Sequence, residues 1–165
     1  GGFMNISVKR FTLIAMLLAM TIVLSSFSIP VPGGHLYFND LVIVTAALML
    51  NPVEAFIVGG LGSFLGDLFF YPTPMFVSLV THGLQAVVIS LLISKNENPT
   101  LKDYILAVTI GAIIMVVGYT IGRAFIYANP QTAMLKLPFQ IVQASFGAIM
   151  AIILHTRLPL KRFLK

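Results

Sequence analysis

The sequence predicts an all-α membrane protein with six transmembrane helices and both termini on the cytoplasmic side. Three observations predict it. Hydrophobic residues make up 58% of the 165-residue chain and charged residues 9%, against roughly 25% charged in soluble domains. The mean hydropathy is +1.00, so the bilayer is the main solvent. Apolar runs recur at close to the length of about 20 residues that crosses a hydrocarbon core, and the basic residues gather on one side of the resulting topology.

Gly1-Gly2-Phe3 precedes Met4 and reads as a tag remnant, leaving residues 4–165 as one six-helix transmembrane domain. Phe11–Ile29 is the first span. No Ala-x-Ala-like cleavage site follows it, so it reads as a retained helix and not as a signal peptide. "SIPVPGGHLYF" breaks it with Pro30, Pro32, Gly33 and Gly34. Leu41–Leu50 is the second span, only roughly 15–18 Å long, and is expected to be tilted or enclosed by its neighbours. Asn51-Pro52 separates it from the third, Val53–Phe70. Tyr71-Pro72-Thr73-Pro74 ends that run, and Met75–Ile93 is the fourth. "SKNENPTLKD" is a polar loop, Ile105–Ile126 the fifth span, "YANPQTAMLKLP" a loop, and Phe139–Leu154 the sixth.

Asn51-Pro52 is either a turn, giving six helices, or a kink, giving five. Charge arbitrates. With six helices the inner side holds Lys9, Arg10, Lys95, Lys102, Arg157, Lys161, Arg162 and Lys165, and the outer side only Arg123 and Lys136. With five, the order flips after residue 70 and the excess moves outside. The same segregation accounts for the net charge of +5 without nucleic acid. A chain with zero cysteines has no disulfide, thiolate metal site or cysteine nucleophile.

Depth along the helices then places the polar residues. Asp67 closes the outer end of the third helix. His82 lies about 12 Å into the fourth, with Gln85 on the same face at i, i+3. Tyr119 and Arg123 share a face of the fifth, Gln140 and Gln143 a face of the sixth, and Asn39 opens the second. The inner halves are nearly all apolar, as in "IVTAALML" and "FGAIMAIIL". Polar side chains facing lipid are costly, so the pattern predicts a pocket open to the outside with a dry floor. Candidate substrate-binding residues are His82, Gln85, Tyr119, Arg123, Gln140, Gln143, Asn39 and Asp67. Structural roles compete at some positions. Asp40 is expected to cap the second helix and Glu54 the third. Asp67 has His82 or Arg123 as bracing partners, and Tyr37, Tyr71 and Tyr127 fit an interfacial aromatic belt.

Ala15 and Ala19, four apart in "FTLIAMLLAMT", allow close approach of another helix. Gly62-x-x-x-Gly66 and Gly118-x-x-x-Gly122 have the same form and read as internal packing. No phosphate-binding Gly-x-x-x-x-Gly-Lys, catalytic motif, metal cluster or proton-relay series of carboxylates is present in the sequence. The chain is therefore equipped to capture a solute and lacks a means to drive it, which calls for an energised partner.

On these residues the chain resembles the substrate-binding S components of energy-coupling factor (ECF) vitamin transporters. The resemblance rests on the six helices, on Ala15-x-x-x-Ala19, and on "PGGHLYFNDLVIVTAALMLNPVEAFIVGGLGSFLGDLF" with its Gly-rich loop, polar-opened short helix, Asn-Pro turn and Gly-Asp ending. It implies a non-enzymatic membrane subunit without cofactors or metal, sitting in the bacterial cytoplasmic membrane. Its partners would be a membrane coupling subunit, docked through Ala15 and Ala19, and two cytoplasmic ATPase subunits. It also implies that Pro30–Phe38 covers the pocket, and that the S component topples in the membrane to release its vitamin inside. With no Trp, an aromatic clamp falls to Tyr or Phe. Hydroxymethylpyrimidine and pyridoxine are the first choices of ligand, pantothenate or riboflavin the alternatives, and a self-contained small transporter or channel the alternative function.

Overall fold

The computed structural model describes residues 7–164. The expected tag remnant, the first residues of the expected domain and residue 165 lie outside them. Among the described residues the chain forms six helices: α1 (Val8–Leu24), α2 (Asp40–Met49), α3 (Pro52–Phe70), α4 (Met75–Ser94), α5 (Leu101–Tyr127) and α6 (Pro130–Arg157). A hairpin of β1 (Ser28–Val31) and β2 (Gly34–Tyr37) separates α1 from α2, and a 3-10 turn follows at Leu160–Leu164. Four of the helices, α3 to α6, are long and apolar enough to cross a membrane. α1 has 17 residues and α2 has 10.

The Asn51-Pro52 ambiguity resolves as a turn. Leu50 is extended, and Asn51 caps α3 by accepting from the Glu54 N–H at 2.9 Å while Glu54 Oε1 accepts from the Asn51 N–H at 3.1 Å. This reciprocal pairing satisfies two backbone donors at a helix start, and Pro52 at the first position has no N–H to satisfy. Glu54 also pairs with Arg10, whose Nε donates to Oε2 at 2.6 Å, tying α1 to α3.

Three boundaries differ from expectation. The first helix ends at Leu24, short of Ile29. Ser25 and Ser26 turn their hydroxyls back onto the carbonyls of Thr21 and Val23, offering the backbone an alternative to the helix ladder, and Ser28–Val31 pairs with Gly34–Tyr37 instead. The expected loop is thus a hairpin, a small β element in an otherwise helical chain. Pro32-Gly33 forms its turn, and Gly33 at φ 87° takes the positive φ of the second central residue of a type II turn. The sixth helix begins at Pro130, not Phe139. Asn129 caps it by accepting from the Thr132 N–H at 2.8 Å, and Pro138 lies inside it. An internal proline costs one ladder bond, a defect that helices packed in a membrane bundle tolerate. The fifth helix is longer at both ends and finishes in a π turn, Arg123–Tyr127.

The short α2 is enclosed by the others. Ile43, Val44, Ala47 and Leu48 pack on Ala55 of α3, Ala86 and Ile89 of α4, and Ala148 and Ala151 of α6. Helix association without water rests on dispersion and close approach, and small residues provide it. A Cβ at Gly66 would collide with Ser25 Oγ, just past the end of α1, and one at Gly62 would lie 2.9 Å from Thr21 of α1. Gly118 and Gly122 likewise receive Thr81 and Val77 of α4. Both glycine pairs therefore serve internal packing. Ala15 and Ala19 are different: both are exposed on the outer face of α1. Large apolar side chains such as Phe69, Phe76, Val80, Ile113 and Phe125 stand on the outside of the bundle, where lipid is the natural solvent.

Candidate solute-binding site

The end of α3, the start of α4, the end of α5, the start of α6 and the start of α2 all meet at one end of the bundle, with the hairpin beside them. They enclose a cavity of about 150 Å³. Asn39, Asp67, His82, Tyr119, Arg123, Gln140 and Gln143 line it, so the structure brings together all but one of the sequence candidates. Gln85 is the exception. It is buried behind His82, and its Oε1 lies 2.8 Å from His82 Nδ1. The other ring nitrogen, Nε2, lies 3.8 Å from Asp40 Oδ1.

One wall is a connected polar network. The Ser78 hydroxyl donates to Asp67 and lies 2.5 Å from the Tyr119 hydroxyl. The Tyr119 ring meets the His82 ring edge-on at 5.2 Å between centroids. Gln143 then links three elements: its Oε1 accepts from the Tyr37 N–H at 2.9 Å and its Nε2 donates to Asp40 Oδ1 at 3.1 Å. This overturns two expected roles. Asp40 does not cap α2: the cap position is Asn39, and the Asp40 side chain turns inward to Gln143 and His82. Asp67 braces α4 through Ser78 and is ion-paired with neither His82 nor Arg123; among the described residues Arg10 and Glu54 are ion-paired, and His82 Nε2 stands 3.8 Å from Asp40 Oδ1.

A second group of lining residues is basic. Arg123 Nη1 and Lys136 Nζ donate to the same oxygen, Gln140 Oε1, at 3.2 and 3.0 Å, while Gln140 Nε2 reaches Met115 Sδ at 3.2 Å. Like charges this close repel each other, and a single neutral amide oxygen is a weak mediator between them. Arg123 also stands 5.6 Å from the centroid of the Tyr127 ring. Tyr37, Tyr71 and Tyr127, expected in an interfacial belt, line the cavity. Burial pushes the Tyr37 phenol above its ordinary pKa.

The hairpin turn closes against α6. A Cβ on Gly33 would fall 2.8 Å from both the Lys136 backbone nitrogen and the Thr132 carbonyl oxygen, so only glycine lets the turn sit there. Phe38, just past β2, packs edge-on against Phe146 of α6 at 6.2 Å.

Two buried polar lining residues escaped the sequence reading, Ser78 and Lys136. Ser78 had a signal, since Ser78, His82 and Gln85 fall at i, i+4 and i+7 on one face of α4. Lys136 repeats that spacing with Gln140 and Gln143. It was assigned to a loop because Pro138 reads as a helix stop, yet it is one of the most deeply buried side chains, 2% exposed.

The fold and site define a class first: a helical membrane protein holding a polar, aromatic-lined cavity at one end of an apolar bundle. Residues 5–160 match the family model of the ECF-type riboflavin transporter S component, and the chain belongs to that family. It is 34% identical over 155 residues to the thiamine precursor transporter HmpT of Lactococcus lactis subsp. cremoris (strain MG1363), covering 91% of this chain and 87% of that protein. It is 31% identical over 133 residues to an uncharacterized protein of Pyrococcus woesei, covering 79% and 88%. A solved structure, described as the S component of a bacterial ECF transporter, superimposes with a TM-score of 0.76 at 26% identity, covering 95% of this chain and 98% of that one. The chain is thus a membrane-integral vitamin-transport component and not an enzyme.

Proposed function

We propose that this chain is the substrate-binding subunit of an ECF-type importer, capturing a small heteroaromatic vitamin precursor in the cavity, with hydroxymethylpyrimidine first and pyridoxine second. The observation that carries it is the cavity itself: a small enclosure with a carboxylate, a histidine, amides and tyrosines on its walls, in a chain 34% identical to a thiamine precursor transporter. A single aromatic ring with exocyclic donors and acceptors suits that volume better than the tricyclic ring and polyol tail of riboflavin. His82, Tyr119, Asp67, Asn39, Arg123, Gln140 and Gln143 are assigned to ligand contact, and Gln85 to fixing the His82 ring.

In this reading residues 4–165 form one domain with six membrane-crossing helices and both termini in the cytoplasm, so the cavity faces outward. Ala15 and Ala19 dock a membrane coupling subunit that works with two cytoplasmic ATPases. Their exposure supports this, as does an apolar groove of about 500 Å³ on the neighbouring face, lined by Met16 and Met20 of α1, Val42 of α2 and Leu154 of α6.

The test is calorimetric titration of the purified protein with hydroxymethylpyrimidine, pyridoxine, pantothenate and riboflavin, without ATP. Saturable one-to-one binding with hydroxymethylpyrimidine tightest is expected. Riboflavin binding tightest, or none of the four binding, would overturn the assignment. With zero native cysteines, single-cysteine labelling at Thr73 and Asn98 from either side of sealed vesicles reads the orientation directly.

A further inference from the structure

Two acceptors at the start of α2 are buried without a hydrogen-bond partner: Asn39 Oδ1, on the cavity lining, and Asp40 Oδ2, off it. The basic side chains of the lining, Arg123 and Lys136, are hydrogen-bonded to one neutral amide oxygen, and neither has a carboxylate within ion-pairing distance among the described residues. The Tyr127 hydroxyl, beside Arg123 on the same wall, is buried with no partner. Thr132 brings the first turn of α6, the positive end of its dipole, to the cavity as well. Burying a lysine next to an arginine is unfavourable unless something negative joins them.

We propose that Lys136, Arg123 and Tyr127 form an oxyanion subsite, so that the heteroaromatic ligand carries a carboxylate or phosphate monoester at that end. The ring's donor groups then face Asn39 and Asp67. The proposal rests on the ring-binding reading above and refines it: the preferred solute is the anionic relative, not the neutral alcohol. An anion between the two cations replaces a shared amide contact with charge-assisted bonds, which are about twice as strong as neutral ones, and removes their mutual repulsion.

Two matched pairs test it by titration of the full-length protein: hydroxymethylpyrimidine against its phosphate monoester, and pyridine-3-methanol against pyridine-3-carboxylate. In at least one pair the anion should bind more tightly, by about tenfold or more. Lys136→Met and Arg123→Gln should each bring that ratio to within about threefold, and Lys136→Arg should retain it. Neutral members binding as well as or better than the anions in both pairs overturns the proposal, as does a ratio indifferent to Lys136→Met and Arg123→Gln. Binding of hydroxymethylpyrimidine with rejection of both anions removes the subsite and leaves the substrate reading standing. Binding of the pyridine carboxylate with neither pyrimidine bound does the reverse.

Discussion

Gln143→Ala is the most informative single change. The side chain is 4% exposed and makes two bonds that leave its own helix, accepting from the Tyr37 N–H of the hairpin and donating to Asp40 of α2. Interhelical hydrogen bonds in membrane proteins are worth about 0.6 kcal/mol on average and about 1.7 at most. Two of them give roughly 1–3 kcal/mol, and the carboxylate partner pushes the value toward the upper figure. At roughly 2–4 °C per kcal/mol for a chain of this size, the apo protein should melt about 3–10 °C lower. Ligand affinity should fall too, because the hairpin loses its polar tether to α6 beside the cavity. The assay is thermal unfolding in detergent with and without ligand, followed by a double-mutant cycle with Asp40→Asn. A coupling of about 1 kcal/mol is expected, since the two residues share one bond. A Gln143→Ala protein that melts within about 1 °C of the parent and binds equally well would refute the claim that this residue staples hairpin to bundle.

Gly33→Ala should loosen the hairpin and speed ligand release, since its Cβ meets α6 backbone at 2.8 Å and its φ is positive, whereas Gly34→Ala finds its nearest atom at 3.7 Å and should be tolerated; equal off-rates for both would refute the seating of the turn. Gly147→Ala places a Cβ 2.6 Å from Asp40 Cβ and should cost about 1–3 kcal/mol of stability by overpacking, read as a lower melting temperature; an unchanged melt would show that α2 and α6 separate freely. Ala15→Leu and Ala19→Leu should spare solute binding by purified protein and abolish uptake in cells that supply the coupling subunit, because bulk on an exposed helix face blocks close approach; normal uptake by both removes the docking assignment. Glu54→Gln should lower stability by about 1 kcal/mol or more with little effect on affinity, since the Arg10 contact lies far along the chain's packing from the cavity; a large affinity loss would mean that the two ends of the bundle are coupled.

Element type and cavity position were legible in the sequence because they depend on few variables. Lipid solvation demands long apolar runs, and polar residues placed at matching depths on separate helices have one economical solution, a shared interior site. His82, Tyr119, Arg123, Gln140 and Gln143 converge for that reason. The hairpin was not legible: "SIPVPGGHLYF" is rich in breakers, and its strands are only four residues long, too short to show a period. Lys136 was hidden by a rule that fails in membranes. Pro138 breaks a soluble helix, but in this bundle it sits eight residues inside one, and the lysine moves from an expected loop to the cavity wall. Asp40 was read as a cap because helix starts favour carboxylates; what decides its role is tertiary, the approach of Gln143 and His82 from two other helices.

The same arrangement constrains how a captured solute could leave. Past His82 and Gln85 the interior is closed by Ile43, Ala47, Ala86, Ile89 and Ala148, all nearly inaccessible, and Ser90 there is spent on the Leu50 carbonyl at 2.6 Å. A polar ring moving through that region would give up every hydrogen bond it makes in the cavity and gain none, at roughly 1–3 kcal/mol for each unpaired group. Motion of helices within the bundle would have to break the Gly62, Gly66, Gly118 and Gly122 contacts, which hold α1 to α3 and α4 to α5 with no room to slide. The hairpin is the element with least to lose: four residues per strand, one turn seated on Gly33, and one side-chain tether at Gln143. The hairpin end is therefore the least costly way into and out of the cavity.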